Sequence, residues 1–429
     1  MKSFFLLTLG CPKNYVDSET LSIALMDAGY RAEMKPERAD LLLVNTCGFL
    51  QAALDEAEET IGKLGAIKKP KQRLIVFGCA VKRSLPLFSN PELGVDERYD
   101  TWEETAKALA PEGVLAGVRV NTGVPYAYVK IADGCDEHCA FCAIPGIKGA
   151  FVSKPSDLIL SEIGHLLEQG VQEIILIAQN TTAYGLDFRK RQEKVAVDSL
   201  DLLIELICSA FPELPWLRIM YAYPDYITPR LIEVMARFAP VCHYLDIPLQ
   251  HASPKVLKSM GRPYNIEKTK ATLAALRLAM PDLAIRTTFI VGYPGELEPD
   301  FVLLKKFVHD IGFDSMGVFQ YSKEPGTPAA DLPRQISDEV KLRRYDELMG
   351  LQQTVSYERN KAMIGQTIRV LVEAEIEDKD GFRFIGRSQR SAPDIDGVVY
   401  LQGEAEIGSF VNVHISSADE YDLTGTIVG

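Results

Sequence analysis

Gly134-Cys135-Asp136-Glu137-His138-Cys139-Ala140-Phe141-Cys142 is the stretch on which the fold turns. It carries three cysteines in a CxxxCxxC spacing and follows an apolar run, Ala127–Ala132, that predicts a β-strand. In barrels built from strand–helix units, chemistry gathers just beyond strands of this kind. Three thiolates on one short loop ligate three irons of a four-iron cluster and leave the fourth iron open, whereas electron-transfer clusters are closed by four cysteines. Zinc is the alternative; it takes four ligands, and His138 would be the fourth.

Downstream of this loop, apolar runs alternate with helical periodicity. Glu173–Ala178, Trp216–Tyr221, Tyr244–Pro248, Ala284–Val291 and Gly317–Tyr321 read as strands, and Pro155–Gln169 and Tyr264–Ala279 as helices between them. With Ala127–Ala132 this makes six strand–helix units, an incomplete (β/α)6 TIM-like barrel. Upstream, Ser3–Leu9, Asp40–Asn45 and Arg73–Phe77 alternate with helical stretches Asp17–Ala28 and Gln51–Leu64, which predicts βαβ units on a parallel sheet. Beyond Pro325-Gly326-Thr327-Pro328, Ser337 is placed to cap a connector helix running to about Met363, with Leu342, Tyr345, Leu348 and Met349 as its apolar face. Thr367–Ala374, Phe382–Ser388, Gly397–Leu401 and Phe410–Ile415 then read as short strands of a small all-β, OB-like module. The expected domains are residues 1–120, 121–362 and 363–429, an α/β protein with an all-β end.

A second cysteine trio is spread through the first segment. Leu9-Gly10-Cys11, Asn45-Thr46-Cys47-Gly48 and Phe77-Gly78-Cys79 each end an apolar strand. The carboxyl ends of parallel strands line one edge of a sheet, so these three thiols are expected to converge there. Spacing alone does not separate zinc from an iron–sulfur cluster. Cys208 and Cys242 share no such pattern and read as core residues.

Composition bounds the partners. The 429 residues carry a formal charge of −13, a poor match for phosphate backbones and a good one for a basic partner. From Gly365 on, five basic residues (Arg369, Lys379, Arg383, Arg387, Arg390) face twelve acidic ones. A module that grips RNA needs a basic stripe, so direct nucleic-acid binding is not favoured. Eight cysteines in a chain this long do not make a disulfide scaffold and point to metal binding in a reducing compartment. The apolar run Phe4–Leu9 is too short for a secretion signal, and no stretch approaches a membrane span, so a soluble cytoplasmic protein is expected.

The cysteine loop, with Phe141 directly before its last cysteine, resembles the radical S-adenosylmethionine superfamily. Leu9-Gly10-Cys11-Pro12-Lys13-Asn14, Asp17-Ser18-Glu19 and Asn45-Thr46-Cys47-Gly48-Phe49 resemble the N-terminal domain of the methylthiotransferase family within it, and the β module resembles that family's TRAM domain. The likeness covers nearly the whole chain. It implies two 4Fe–4S clusters, one on Cys135, Cys139 and Cys142 that cleaves S-adenosylmethionine to a 5′-deoxyadenosyl radical, and an auxiliary one on Cys11, Cys47 and Cys79. Two molecules of S-adenosylmethionine are then used per turnover, one as radical source and one as methyl donor. Tyr321-Ser322-Lys323-Glu324-Pro325-Gly326-Thr327, Ala392-Pro393-Asp394-Ile395-Asp396-Gly397 and Ala418-Asp419-Glu420-Tyr421-Asp422-Leu423 resemble the branch that modifies a ribosomal protein rather than the branch acting on tRNA adenosine. The implied substrate is an aspartate of the basic small-subunit protein twelve, methylthiolated at its β-carbon, with an outside electron donor and a monomeric enzyme. Phe141, Gln179, Asn180, Arg218, Gln250, His251 and Arg286 are candidate cofactor contacts. Two positions depart from the family pattern: Asn180 stands where Asp is usual, and Lys148 where Arg is usual.

Overall fold

Leu41-Leu42-Leu43-Val44 is apolar at every position because the strand that contains it is covered on both faces. In the computed structural model that strand is the centre of the first sheet. The elements are β1 (Ser3–Thr8), α1 (Pro12–Asp27), β2 (Arg31–Ala32), β3 (Leu41–Thr46), α2 (Gln51–Ile67), β4 (Arg73–Gly78), α3 (Cys79–Arg83), β5 (Glu97–Tyr99) and α4 (Trp102–Leu109). The strands lie parallel in the order β2-β1-β3-β4-β5. Leu42, Val44, Leu74 and Val76 pack with Leu54, Ala57 and Ile61 of α2 on one face. Leu41, Leu43, Ile75 and Phe77 pack with Leu21 and Leu25 of α1 and Ala106 of α4 on the other. The structure describes all residues except 1, 85, 114–118, 120–122, 263–264 and 380, and only the backbone of 378 and 379. Tyr264 and the expected boundary at 120–121 lie outside the described residues.

The central segment holds β6 (Tyr126–Lys130), β7 (Ala132–Asp133), α5 (Ile144–Lys148), β8 (Val152–Ser153), α6 (Ser156–Glu168), β9 (Glu173–Ile177), α7 (Leu186–Lys190) and α8 (Leu200–Ala210). It continues with β10 (Trp216–Ile219), α9 (Pro229–Arg237), β11 (Val241–Gln250), α10 (Pro254–Ser259), α11 (Ile266–Ala279), β12 (Ala284–Val291), α12 (Glu298–Ile311) and β13 (Ser315–Gln320). The strands lie in chain order, β13-β12-β11-β10-β9-β6, and β9 to β13 pair in parallel. This is the partial barrel expected from the alternation.

By its contacts the chain separates into two compact units. The first comprises residues 1–122, 128–166 and 322–327; the second comprises 123–127, 167–321 and 328–429. Both cysteine trios fall in the first unit. The division runs through β6, whose first residues, Tyr126 and Ala127, belong to the second.

The second unit also holds α13 (Asp338–Lys361), β14 (Thr367–Lys379), β15 (Phe382–Ser388), β16 (Val399–Gln402), β17 (Phe410–Ala418) and β18 (Leu423–Val428). These strands form a closed barrel in the order β14-β15-β16-β18-β17, filled by Val370, Val372, Val399, Leu401, Val413 and Ile415. Of the connector helix's expected face, Leu348 is fully buried and Tyr345 and Met349 are partly buried, but Leu342 is not. Leu342 is half exposed, and the buried stripe is Arg344, Leu348, Gln352 and Ser356. Three of these four are polar, and each finds a partner: Gln352 donates to the Phe313 carbonyl (3.0 Å), Ser356 to the Asp314 carbonyl (3.1 Å), and Arg344 pairs with Glu296 (3.3 Å). Hydrogen bonding, not apolar periodicity, seats this helix.

Candidate functional site

Cys11 stands three residues past β1, Cys47 directly after β3, and Cys79 directly after β4. These strands are neighbours, with Thr8 level with Asn45 and Thr46 level with Gly78. The register therefore carries all three cysteines to one sheet edge. Gly10 has φ +94°, and a Cβ there would lie 2.5 Å from the Cys47 Cβ and 3.0 Å from its Sγ. A Cβ on Gly48 would lie 2.7 Å from the Ala80 Cα. The three turns touch because two of them lack side chains.

Buried amides fix this edge. Asn14 donates to the Leu9 and Thr46 carbonyls (2.8 and 3.1 Å), Asn45 donates to the Asn14 carbonyl (2.9 Å), and the Thr46 hydroxyl donates to the Phe77 carbonyl (2.7 Å). Arg83, on α3, donates to the Gly48 and Phe49 carbonyls and pairs with the buried Glu324 (2.5 Å), which also accepts from the Gln51 amide (3.2 Å). Glu324 thus clamps the turn that follows Cys47.

Burial raises the Cys47 thiol, with the Phe49 and Gly48 amides opposing it. Burial pushes Cys79 up to about 12, and Lys148 opposes. None of the eight cysteines, all described, is in a disulfide. Among the described residues no three Cys, His, Asp or Glu side chains sit tightly enough for a single metal ion. A four-iron cube holds its thiolates farther apart than one ion does. Three thiols at one edge, with amides facing a sulfur, suit such a cluster.

The second trio occupies the loop between β7 and α5. Antiparallel pairing of Ala132 with Ser153 and Asp133 with Val152 closes the base of this loop. Gly134 has φ +76°, and a Cβ there would meet the Ala150 carbonyl oxygen at 2.0 Å. The Cys135 amide donates to the Gly149 carbonyl (3.1 Å), Phe151's to the Asp136 carboxylate (2.9 Å), and Cys142's to the Cys139 carbonyl (3.1 Å). The Ile144 amide, at the start of α5, points at the Cys142 sulfur (3.5 Å). Cys135, Cys139, Cys142 and Phe141 are all partly exposed, unlike Cys208 and Cys242, which are buried as expected.

Both trios are joined by a cluster of four charges in the first unit. Lys130, at the end of β6, pairs with Asp17 of α1 and with Asp133 (3.2 Å). Lys148, at the end of α5, lies 3.5 Å from each of the same two carboxylates. Burial disfavours each ammonium, yet Asp17 and Asp133 hold both above the ordinary lysine value.

In the second unit the candidate contacts separate into two groups. Gln179 and Asn180 follow β9, and Gln250 ends β11. Gln250 and Tyr221, just past β10, both adopt left-handed backbone (φ +68° and +63°), a strain that non-glycine residues carry where a site demands it. Thr182 donates to Asn180 (2.9 Å) and accepts from the Tyr223 amide (2.8 Å). His251 is fully buried. Its Nδ1 accepts from the Ser253 amide (2.9 Å), and its Nε2 faces Glu296 (3.7 Å), so it braces the turn after β11.

Arg218 and Arg286 belong elsewhere, nearer the amino ends of the strands. Arg218 is fully buried against Glu173, the first residue of β9, and donates to the Gln389 carbonyl (2.8 Å). Arg387 of β15 reaches the same Glu173 (2.7 Å), and Arg286 pairs with Asp246 (3.2 Å) and Asp396 (3.3 Å). Their position among strand residues gave no sign of this. Each is claimed by a carboxylate of a neighbouring strand, Glu173 or Asp246, and by a group of the β module, the Gln389 carbonyl or Asp396.

Three family models match the chain: the uncharacterized protein family UPF0004 at residues 3–92, the Radical SAM superfamily at 129–308 and the TRAM domain at 364–428. With the open cysteine loop and the parallel sheet, these define a radical S-adenosylmethionine enzyme of the methylthiotransferase class. The chain belongs to the family of ribosomal protein uS12 methylthiotransferases, RimO. It is 40% identical to the member from Roseiflexus castenholzii, over 100% of this chain and 97% of that protein. It is 42% identical to those from Chloroflexus aurantiacus (98% and 99%) and Carboxydothermus hydrogenoformans (99% and 99%). Among solved structures it is similar to the radical S-adenosylmethionine methyltransferase TsrM from Kitasatospora setae, with a 4Fe–4S cluster and cobalamin bound. That match has TM-score 0.58 and 14% identity, over 77% of this chain and 74% of that one, a likeness of fold.

Proposed function

We propose that the chain adds a methylthio group to the β-carbon of an aspartate of ribosomal protein uS12, using two 4Fe–4S clusters and S-adenosylmethionine. The observation that carries the two-cluster reading is that both cysteine trios lie in one compact unit, each on a backbone built to present three sulfurs. The target C–H bond is unactivated, so the bound clusters and S-adenosylmethionine supply one-electron cleavage, hydrogen abstraction and a sulfur to transfer, chemistry that side chains lack.

The chain's own residues do the rest. Cys135, Cys139 and Cys142 hold three irons and leave one position for S-adenosylmethionine. Cys11, Cys47 and Cys79 hold the auxiliary cluster, with Asn14, Asn45 and Glu324 fixing the turns beneath them. Gln179, Asn180 and Gln250 contact the cofactor from the strand ends, and Phe141 flanks the open iron. Arg218, Arg286 and His251 serve structure instead. The modules at 1–120, 121–362 and 363–429 keep the roles of sulfur donor, radical source and substrate reader.

The substrate reader favours a basic protein over RNA. Of its basic residues, Arg387 is buried, Arg390 is turned onto Asp314 (2.6 Å), and Arg383 is tied to Glu375 and Glu404. No basic stripe remains among its described residues. The enzyme works as a cytoplasmic monomer with an external one-electron reductant; no described helix is long and apolar enough to cross a membrane.

Mass spectrometry of ribosomal proteins and tRNA from cells lacking the gene tests the substrate. Loss of the methylthio group from uS12, with tRNA unchanged, is expected. An unmodified tRNA beside a normal uS12 would overturn the reading. Anaerobic reconstitution is expected to give two 4Fe–4S clusters, and Cys79→Ala to lose half of the bound iron.

A further inference from the structure

Lys148 ends the helix that follows the Cys135–Cys142 loop, and its charge acts on Cys79 of the other trio. It ends α5, the five-residue helix that starts two residues after Cys142, and the next residue, Gly149, accepts the Cys135 amide. Lys148 lines a cavity of about 100 Å³ at the edge of the first sheet. Cys79, Asn14, Asn45, Asp17 and Asp133 line the same cavity. The groups against Lys148 are Asp17 and Asp133 at 3.5 Å, then Cys79 and Lys130; Lys82, Asp100 and Glu103 line the same cavity.

Two carboxylates beside one lysine would satisfy a purely structural ion pair. The placement says more. Lys130 touches both carboxylates, Asp17 and Asp133, but cancels only one of their two charges. Two ammoniums balance two carboxylates, so Lys148 is the charge that keeps this group of charges from presenting a net negative charge toward Cys79, on which Asp17 also acts. A fixed positive charge beside an iron–sulfur cluster favours its reduced, more negative state, and net charge around the sulfurs is one of the levers that set cluster potential.

We propose that Lys148 is a positioning residue that sets the midpoint potential of the auxiliary cluster, upward. This rests on the reading that Cys11, Cys47 and Cys79 hold such a cluster. Lys148 also couples the two trios mechanically, since α5 is anchored at its start to the Cys142 sulfur and at its end beside Cys79.

The test uses the full chain with Cys135, Cys139 and Cys142 all changed to Ala, so that one cluster remains. It compares Lys148, Lys148→Arg and Lys148→Gln in that background by redox titration followed by electron paramagnetic resonance, with iron and sulfide counted in each. Lys148→Gln is expected to lower the midpoint, so that at a fixed potential the reduced-to-oxidised ratio falls about tenfold, the change that 59 mV produces in a one-electron couple. Lys148→Arg keeps the charge and is expected to keep the midpoint. Asp133→Asn removes a neighbouring negative charge and is expected to move the midpoint the other way. Equal midpoints in loaded Lys148 and Lys148→Gln proteins overturn the proposal. If Lys148→Gln holds no cluster, an unmoved midpoint in Asp133→Asn overturns it instead. Absence of any cluster in the parent background defeats the two-cluster reading and is distinguishable from both.

Discussion

Gly10 shows how much of the site is decided by single atoms. Its φ of +94° is strained for any L side chain, and an added methyl would press on the Cys47 Cβ and Sγ. Gly10→Ala is therefore expected to cost about 1–3 kcal/mol in backbone strain and to cut iron at the auxiliary trio, read by urea denaturation and iron analysis, while the radical trio stays loaded. The six cysteines were legible because thiols recur at strand ends with a spacing that chemistry explains. Asn14, Asn45 and Glu324 were visible only as quoted motif letters. Their roles depend on which carbonyls lie beside them, and that is fixed by strand register, not by the residues' own neighbours in sequence. Arg218 and Arg286 illustrate the opposite difficulty: a buried arginine on a strand looks the same whether it awaits a ligand or is already paired.

The elements were read well where burial is apolar and poorly where it is polar. β12 (Ala284–Val291) and β15 (Phe382–Ser388) fall where their runs of β-branched and aromatic residues put them. β2 and β5, at two and three residues, are too short to show a period, and β18 hides behind its turn. The connector helix α13 was found with Leu348 on its buried face, but Leu342 was misplaced and the polar members Arg344, Gln352 and Ser356 were missed. Gln352→Ala leaves the Phe313 carbonyl and the Ser356 hydroxyl without their donor. It is expected to lower stability by about 1–3 kcal/mol, measured as a shift in the urea midpoint, whereas Leu342→Ala, on the half-exposed side, is expected to change it little.

At the scale of the whole molecule, the second unit is pinned by one carboxylate. Glu173 accepts Arg218 from the sheet and Arg387 from the β module, and all three are buried. Burial alone would raise the Glu173 carboxyl, but the two guanidiniums hold it below its ordinary 4.5. A carboxyl with a depressed folded value stabilises the fold above the ordinary value and loses that effect as the pH falls through the folded one. Glu173→Gln is expected to cost about 3–5 kcal/mol near neutrality, since it leaves two buried cations short of a partner. The gap to wild type should narrow as the pH drops below 4.5, which thermal melts across pH would show. The charge excess of the β module was legible from composition, but its inward commitments were not, because Glu373, Asp396 and Arg387 look like surface residues until the sheet is beneath them.

The clamp made by Glu324 also imposes an order in time. Cys11, Cys47 and Cys79 are made early, but the carboxylate that secures the turn after Cys47 emerges only after roughly 240 more residues, or about 12 to 50 s at ~5–20 residues per second. For that interval the nascent protein carries unsecured thiols that oxygen can reach. Cluster assembly on this trio thus belongs after Glu324 has been made, well after the first sheet is complete, and slow translation in aerated cells should yield protein short of iron at this trio first.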